Sequence, residues 1–104
     1  MAEDYLLAKG YTILHRNWRT ARKEVDLIAR NADELVFIEI KTRSGLGYGF
    51  PEESVSTAKQ TNLRTAAEIF LEAHPHFKTV RFDVISIILR NGAIEELRHL
   101  QDAF

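Results

Sequence analysis

The order of apolar and polar positions divides this chain into segments of different period. Tyr5, Leu6 and Leu7 lie in an opening stretch, Ala2 to Lys9, that reads as the end of a helix with Gly10 as its stop. Tyr11 to Leu14 is a short β-type run, and the polar, aromatic segment His15-Arg16-Asn17-Trp18-Arg19 follows it. Glu24 to Arg30 and Leu35 to Lys41 are β-compatible runs on either side of the polar turn Asn31-Ala32-Asp33-Glu34, which predicts an antiparallel hairpin. Glycines at 45, 47 and 49, followed by Pro51, predict a loop from Ser44 to Phe50. From Thr57 to Ala73 the residues Leu63, Ala66, Ala67, Phe70 and Leu71 recur at helical spacing, and Pro75 in His74-Pro75-His76 stops that helix. Val80 to Leu89 is a third major strand; Asn91-Gly92 is a hairpin turn, with Ala93 to Leu100 as a weaker return. The predicted order is helix, three strands, helix, then one or two strands: an α/β domain with a mixed central sheet flanked by helices.

Strand parity turns this outline into chemistry. Residues two apart on a strand face the same way, so Glu39 and Lys41 project together, on the face of Leu35 and Phe37. Glu24 and Asp26 share a face of the preceding strand by the same rule. A hairpin pairing around residues 31 to 34 sets Asp26 close to opposite Glu39. Both acids interrupt apolar series, where a carboxylate is costly without a partner or a metal. Two carboxylates suit an oxygen-liganded ion, Mg²⁺ or Mn²⁺, completed by waters and a phosphate oxygen. A neighbouring lysine can position an attacking water and offset transition-state charge. The pattern is short, and a structural ion pair between these acids and Lys41 on a half-exposed sheet face explains it equally well.

Composition narrows the class. The chain has 104 residues, 45% of them hydrophobic and 28% charged, which suits one globular domain spanning 1–104. Its lack of cysteine removes disulfides, thiolate metal sites and a cysteine nucleophile. No apolar run approaches membrane-spanning length and no signal-peptide pattern opens the chain, so no membrane role and a cytoplasmic location are expected. The net charge of −1 excludes a general polycation. The bases nevertheless concentrate before Ser44, and Arg16, Arg19, Arg22 and Arg43 are candidate phosphate contacts for nucleic acid. Trp18 among them could stack on a base, though packing on the sheet explains it more simply. His74 and His76 flank a proline with no clear third ligand nearby, which favours a loop surface over zinc. Asp83 also interrupts an apolar strand, with no role that sequence alone assigns.

The Asp26 … Glu39-x-Lys41 arrangement on a hairpin, followed by a helix, resembles the PD-(D/E)XK nuclease superfamily. More closely, the chain is similar to the YraN family of small bacterial proteins, which is related to archaeal Holliday-junction resolvases. That resemblance rests on Gly10 to Arg19, Lys23 to Ala29, Leu35 to Arg43, Gly49 to Val55, Lys59-Gln60, Arg81 to Ile85 and Asp102-Ala103-Phe104. It implies a restriction-endonuclease-like core, with Asp26 and Glu39 as metal ligands and Lys41 as the catalytic lysine. It further implies Glu24 as an accessory acid and Gln60 as a polar residue of the site; an exposed first-turn role is the plainer reading of Gln60. Related proteins carry one more acid on the first helix, at a position before Met1, so the chain is expected to lack the start of that helix, with Glu3 one turn later. Two functions follow. One is a metal-dependent endonuclease hydrolysing DNA phosphodiester bonds at branched or damaged structures, working as a homodimer by analogy with resolvases. The other is a non-catalytic nucleic-acid- or protein-binding module that keeps the nuclease fold.

Overall fold

The computed structural model describes residues 1–44 and 55–104. The predicted glycine-rich loop falls largely on 45–54, outside the described residues. The elements are α1 (Ala2–Ala8), β1 (Thr12–Thr20), β2 (Lys23–Asn31), β3 (Glu34–Ser44), α2 (Thr57–Ala73), β4 (Thr79–Arg90) and β5 (Ala93–Leu100). The strands form a five-stranded mixed sheet in the order β1-β2-β3-β4-β5. Only β3 and β4 run parallel, with Phe37 beside Phe82 and Lys41 beside Ser86. A parallel pair needs a crossover, and α2 lies on it. The predicted β2–β3 hairpin is present, closing at Asn31 and Glu34.

One helix covers each face. On the α2 side, Val25, Ile28, Leu35, Phe37 and Val84 pack against Leu63, Ala66, Ala67 and Phe70. On the α1 side, Leu27, Ala29, Val36, Ile38, Ile85 and Ile87 pack with Leu6 and Tyr11. Residues 35 to 38 thus contribute alternately to both faces, which is why β3 reads as a continuous apolar run. α1 is short, and its stability comes from burying Leu6 and Ala2 rather than from its length. Leu6 also anchors its end, where its carbonyl accepts from the amides of Lys9 and Tyr11.

The outline from sequence needs one correction. The first β-type run, expected over Tyr11 to Leu14, continues through the polar segment from His15 to Arg19 as the body of β1, which runs to Thr20. β1 is an edge strand whose outward positions tolerate polar groups, while Trp18 packs on the core edge-to-face with Phe70 at 5.4 Å. Its pairing with β2, Trp18 beside Val25 and Arg19 beside Glu24, overrides the weak local pattern.

On β4, beside Ile38 of β3, Asp83 is held in a buried polar network. It accepts from Arg81 Nε (2.8 Å), from the Asp102 amide (2.9 Å) and lies 2.6 Å from His99 Nε2. Arg81 also donates to Tyr11 Oη (2.6 Å) and Glu34 Oε1 (3.1 Å), while His99 Nδ1 lies 3.1 Å from Tyr5 Oη. Burial opposes ionisation of Asp83, but the hydrogen bonds from His99, Arg81 and the Asp102 amide outweigh it and hold its carboxyl below the ordinary value. The network joins α1, β4, β5 and the C-terminal turn, so Asp83 has a structural role.

Candidate functional site

The site begins where the sheet ladder stops. β2 and β3 pair from Asn31↔Glu34 to Leu27↔Ile38 and no further toward their other ends. One step beyond, Asp26 and Glu39 would face each other. In place of the next ladder bond, the Ile40 amide donates to Asp26 Oδ2 at 2.7 Å. A side chain therefore bridges the strands as they part. Alternation also breaks here: Val25 belongs to the α2-side core and Leu27 to the α1-side core, although two residues separate them. The opposing residue on β1, Asn17, has φ 47°, a left-handed conformation that asparagine tolerates.

Glu39 lies beyond Phe37 on the α2 face, with its side chain 9% exposed. Its partner there is Lys59 on the first turn of α2, whose Nζ is 2.6 Å from Glu39 Oε1. Ser56 sets that turn, accepting from the Lys59 amide at 3.2 Å as the N-cap. Lys59 was not among the site residues expected from sequence, because the pairing crosses from β3 to α2 and has no local periodicity. Burial pushes the Glu39 carboxyl up from its ordinary value and the Asp26 charge adds to this, against hydrogen bonding to Lys59 and the charge of Lys41. Hydrogen bonding to Glu39 raises Lys59 in turn, against its own partial desolvation. The buried carboxylate bears the desolvation cost, and the half-exposed ammonium gains the contact.

Open clefts surround this point. One of about 640 Å³ is lined by Glu39, Lys41, Arg43, Ser56 and Lys59. A second, of about 370 Å³ on the α1 side, is lined by Glu3, Arg16, Asn17 and Asp26. A third, of about 380 Å³, is lined by Arg22, Lys23, Glu24, Ser56, Lys59 and Asn62. Glu39 and Lys41 thus share one cleft as parity predicts, and Asp26 is near enough to act electrostatically on Glu39.

The other expected residues divide. Glu24 lines a different cleft from Asp26 and pairs with Arg19 at 2.9 Å, so the shared face expected for Glu24 and Asp26 does not extend to a shared cavity. Gln60 donates its side-chain amide to the Val55 carbonyl at 2.9 Å, a use that ties down the start of α2. Arg16 is engaged by Glu3 and Arg19 by Glu24. Arg22 and Arg43 stand exposed, Arg43 beside Lys41 in the largest of these clefts.

Divalent-metal chemistry can be judged against these donors. Among the described residues, no group of three or more His, Cys, Asp or Glu is arranged to hold a metal. Asp26 and Glu39 still supply hard oxygen donors, and each engages one carboxylate oxygen in the contacts above. That set fits Mg²⁺ or Mn²⁺, which bind through one or two carboxylates with water and substrate phosphate completing the shell. It does not fit zinc. The one condition is that Lys59 yields Glu39 Oε1. His74 instead approaches the Phe70 carbonyl and stacks on the Phe70 ring at 4.1 Å, a packing role.

Comparison with known proteins agrees with this sequence along its length. A family model described as uncharacterised protein family UPF0102 matches residues 1–87. A UPF0102 protein of Rhodococcus opacus is 47% identical over 105 residues, covering 100% of this chain and 89% of that protein. One from Dictyoglomus thermophilum is 44% identical over 103 residues, covering 97% and 87%. One from Syntrophomonas wolfei is 41% identical over 105 residues, covering 100% and 90%. None of these descriptions carries an activity.

Proposed function

The chain belongs to the uncharacterised protein family UPF0102, the YraN family, and from its site chemistry we propose a metal-dependent phosphodiesterase acting on DNA with a restriction-endonuclease-like core. One observation carries the proposal: a buried carboxylate, Glu39, meets Asp26 and a pair of lysines where two strands part beside an open cleft. A purely structural acid has no need of a solvent-filled cleft, and a buried carboxylate at such a place favours a cationic ligand.

In this reading Asp26 and Glu39 would hold Mg²⁺ or Mn²⁺, which when bound would supply Lewis-acid activation of the phosphate and of the attacking water. Lys41 projects into the same cleft as Glu39, orients the water and offsets charge on the phosphoryl oxygens. The water's proton would pass to solvent in the cleft as its oxygen bonds to phosphorus, and the leaving sugar oxygen would take one from solvent as its bond to phosphorus breaks. Lys59 is the second cation at the cleft, and Arg43 stands where it can hold a phosphate oxygen. Glu24, on the adjoining cleft, and Gln60, bonded to the Val55 carbonyl at the start of α2, remain accessory candidates. Branched DNA is the substrate class suggested by the resemblance to resolvases, and a homodimer would then match the two symmetric cleavage points.

The test is a cleavage panel of linear, nicked and four-way DNA with Mg²⁺ and with Mn²⁺. Wild type should cut at least one substrate; Asp26→Ala and Glu39→Ala should abolish cutting while far-ultraviolet circular dichroism stays unchanged. Cutting that survives both substitutions refutes the assignment. A second reading, a binding module without turnover, is favoured by the Lys59 ammonium already seated on Glu39. Salt-dependent DNA binding without cleavage under either metal would select it.

A further inference from the structure

The cleft beside Glu39 does not end at the proposed metal ligands. Ser56 and Lys59 line both it and the cleft formed by Arg22, Lys23 and Asn62, so the two adjoin at the start of α2. The β1–β2 turn stands at the same end of the sheet as Glu39 and Lys41, and its cations line the second of two adjoining clefts that together make a trough. Among the described residues, neither Arg22 nor Lys23 pairs with a carboxylate, whereas Arg16 and Arg19 are both engaged by glutamates. The turn itself is built against local preference. Ala21 and Arg22 occupy left-handed backbone, φ 48° and 64°, in a two-residue connection where Asn-Gly is the favoured pair. That backbone favours Gly or Asn over arginine, so turn formation alone does not account for Arg22.

From this we infer that the trough is a track for the sugar-phosphate backbone, and that Arg22 and Lys23 bind a phosphate neighbouring the scissile one. The inference rests on the phosphodiesterase reading for what lies at the trough's centre, and extends it to the substrate's path. It also selects among the arginines: Arg22 and Lys23 bind, while Arg16 and Arg19 brace the sheet edge through Glu3 and Glu24. Occupancy by a phosphodiester chain follows from the charge along the trough, where Arg43, Lys41, Lys59, Lys23 and Arg22 outnumber Glu39 and Glu24.

The experiment measures binding of a short fluorescein-labelled DNA duplex by anisotropy over a salt series, with Ca²⁺ present to suppress cleavage. Each lost phosphate contact lowers the slope of log affinity against log salt by about 0.9. Arg22→Gly with Lys23→Gln removes both charges and gives the turn a residue suited to its left-handed position, so the fold should not suffer. Its slope should fall by roughly 2, while Arg30→Gln with Lys78→Gln, the same charge change at the opposite end of the sheet, should leave the slope near wild type. Equal slopes for the two double variants overturn the inference, as does a wild type that binds no DNA at any salt concentration. A normal loss of slope in a protein that never cleaves upholds the track and refutes turnover alone.

Discussion

Replacing Asp83 by asparagine tests whether the buried network around β4 carries the stability that its geometry implies. The Asp83 side chain is 0% exposed, that of Arg81 is 13% exposed and that of His99 is 5% exposed. Asparagine keeps the shape and one acceptor oxygen, but it turns an amide donor toward the Arg81 and His99 nitrogens. Arg81 then retains Glu34 and Tyr11 as partners without its closest counter-ion. Breaking one side of a buried pair costs about 3–5 kcal/mol; the surviving Glu34 contact argues for the lower end, about 3 kcal/mol. A domain of this size is stable by roughly 5–15 kcal/mol, so the loss is a large fraction of the total. At about 4–8 °C per kcal/mol, Tm should fall by roughly 12 °C or more, measured by circular dichroism at neutral pH. Acid supplies the second half of the test. The folded-state carboxyl lies below its unfolded value, so its contribution is complete above about pH 4 and is lost as pH falls through the folded value. Wild type and Asp83→Asn should therefore differ at neutral pH and converge in acid. A Tm shift under about 4 °C, unchanged with pH, would mean that the network is screened like a surface pair and that the reasoning is wrong.

Two further predictions concern the cleft. Glu39→Gln should raise Tm at neutral pH, because a carboxyl whose folded pKa is raised by burial costs the folded state stability once pH exceeds its unfolded value; the same variant should lose metal-dependent cleavage. A lower Tm would show that the Lys59 pair outweighs the burial cost. Lys59→Met should tighten Mn²⁺ binding at mildly alkaline pH by roughly tenfold or less, read by calorimetry, since a half-exposed ammonium no longer competes for Glu39 Oε1. Weaker Mn²⁺ binding would instead make Lys59 a positioning group for Glu39.

Sequence carried the architecture further than the site. Continuous apolar runs identified β2, β3 and β4, because burial on both faces leaves little else, and helical spacing set α2 at Thr57–Ala73 without error. β1 was harder to read: an edge strand keeps its polar residues facing solvent, so the five positions from His15 to Arg19 do not extend the run Tyr11 to Leu14 by pattern alone, and only pairing with β2 joins them to it. Glu39 and Lys41 could be placed together because parity is exact within a regular strand. Parity failed at Asp26, where the ladder ends and the strand changes face, and it was silent on Lys59, whose partnership depends on a helix packed across the sheet. Asp83 announced itself as an anomaly in β4, and Arg81 two residues away is a local partner, yet His99 on β5 and the Asp102 amide of the C-terminal turn lie at separations no local pattern records.

The break at Asp26 makes structural and chemical roles overlap in one carboxylate, and two substitutions can separate them. Asp26 Oδ2 accepts the Ile40 amide where no strand carbonyl does, so it stabilises the parting of β2 and β3 as well as lining the α1-side cleft. Asparagine retains an acceptor oxygen of nearly the same reach; alanine leaves the Ile40 amide without one. Alanine should therefore cost about 1–3 kcal/mol for the half-buried donor, and asparagine much less. Removing the negative charge should weaken Mn²⁺ binding in both, since the amide oxygen is a poorer donor to a hard cation. In a urea titration read alongside Mn²⁺ calorimetry, the two variants should split in stability and agree in lost metal binding. If asparagine binds Mn²⁺ like wild type, Asp26 is a strand bridge alone, and the metal ligands must be sought around Glu39 without it.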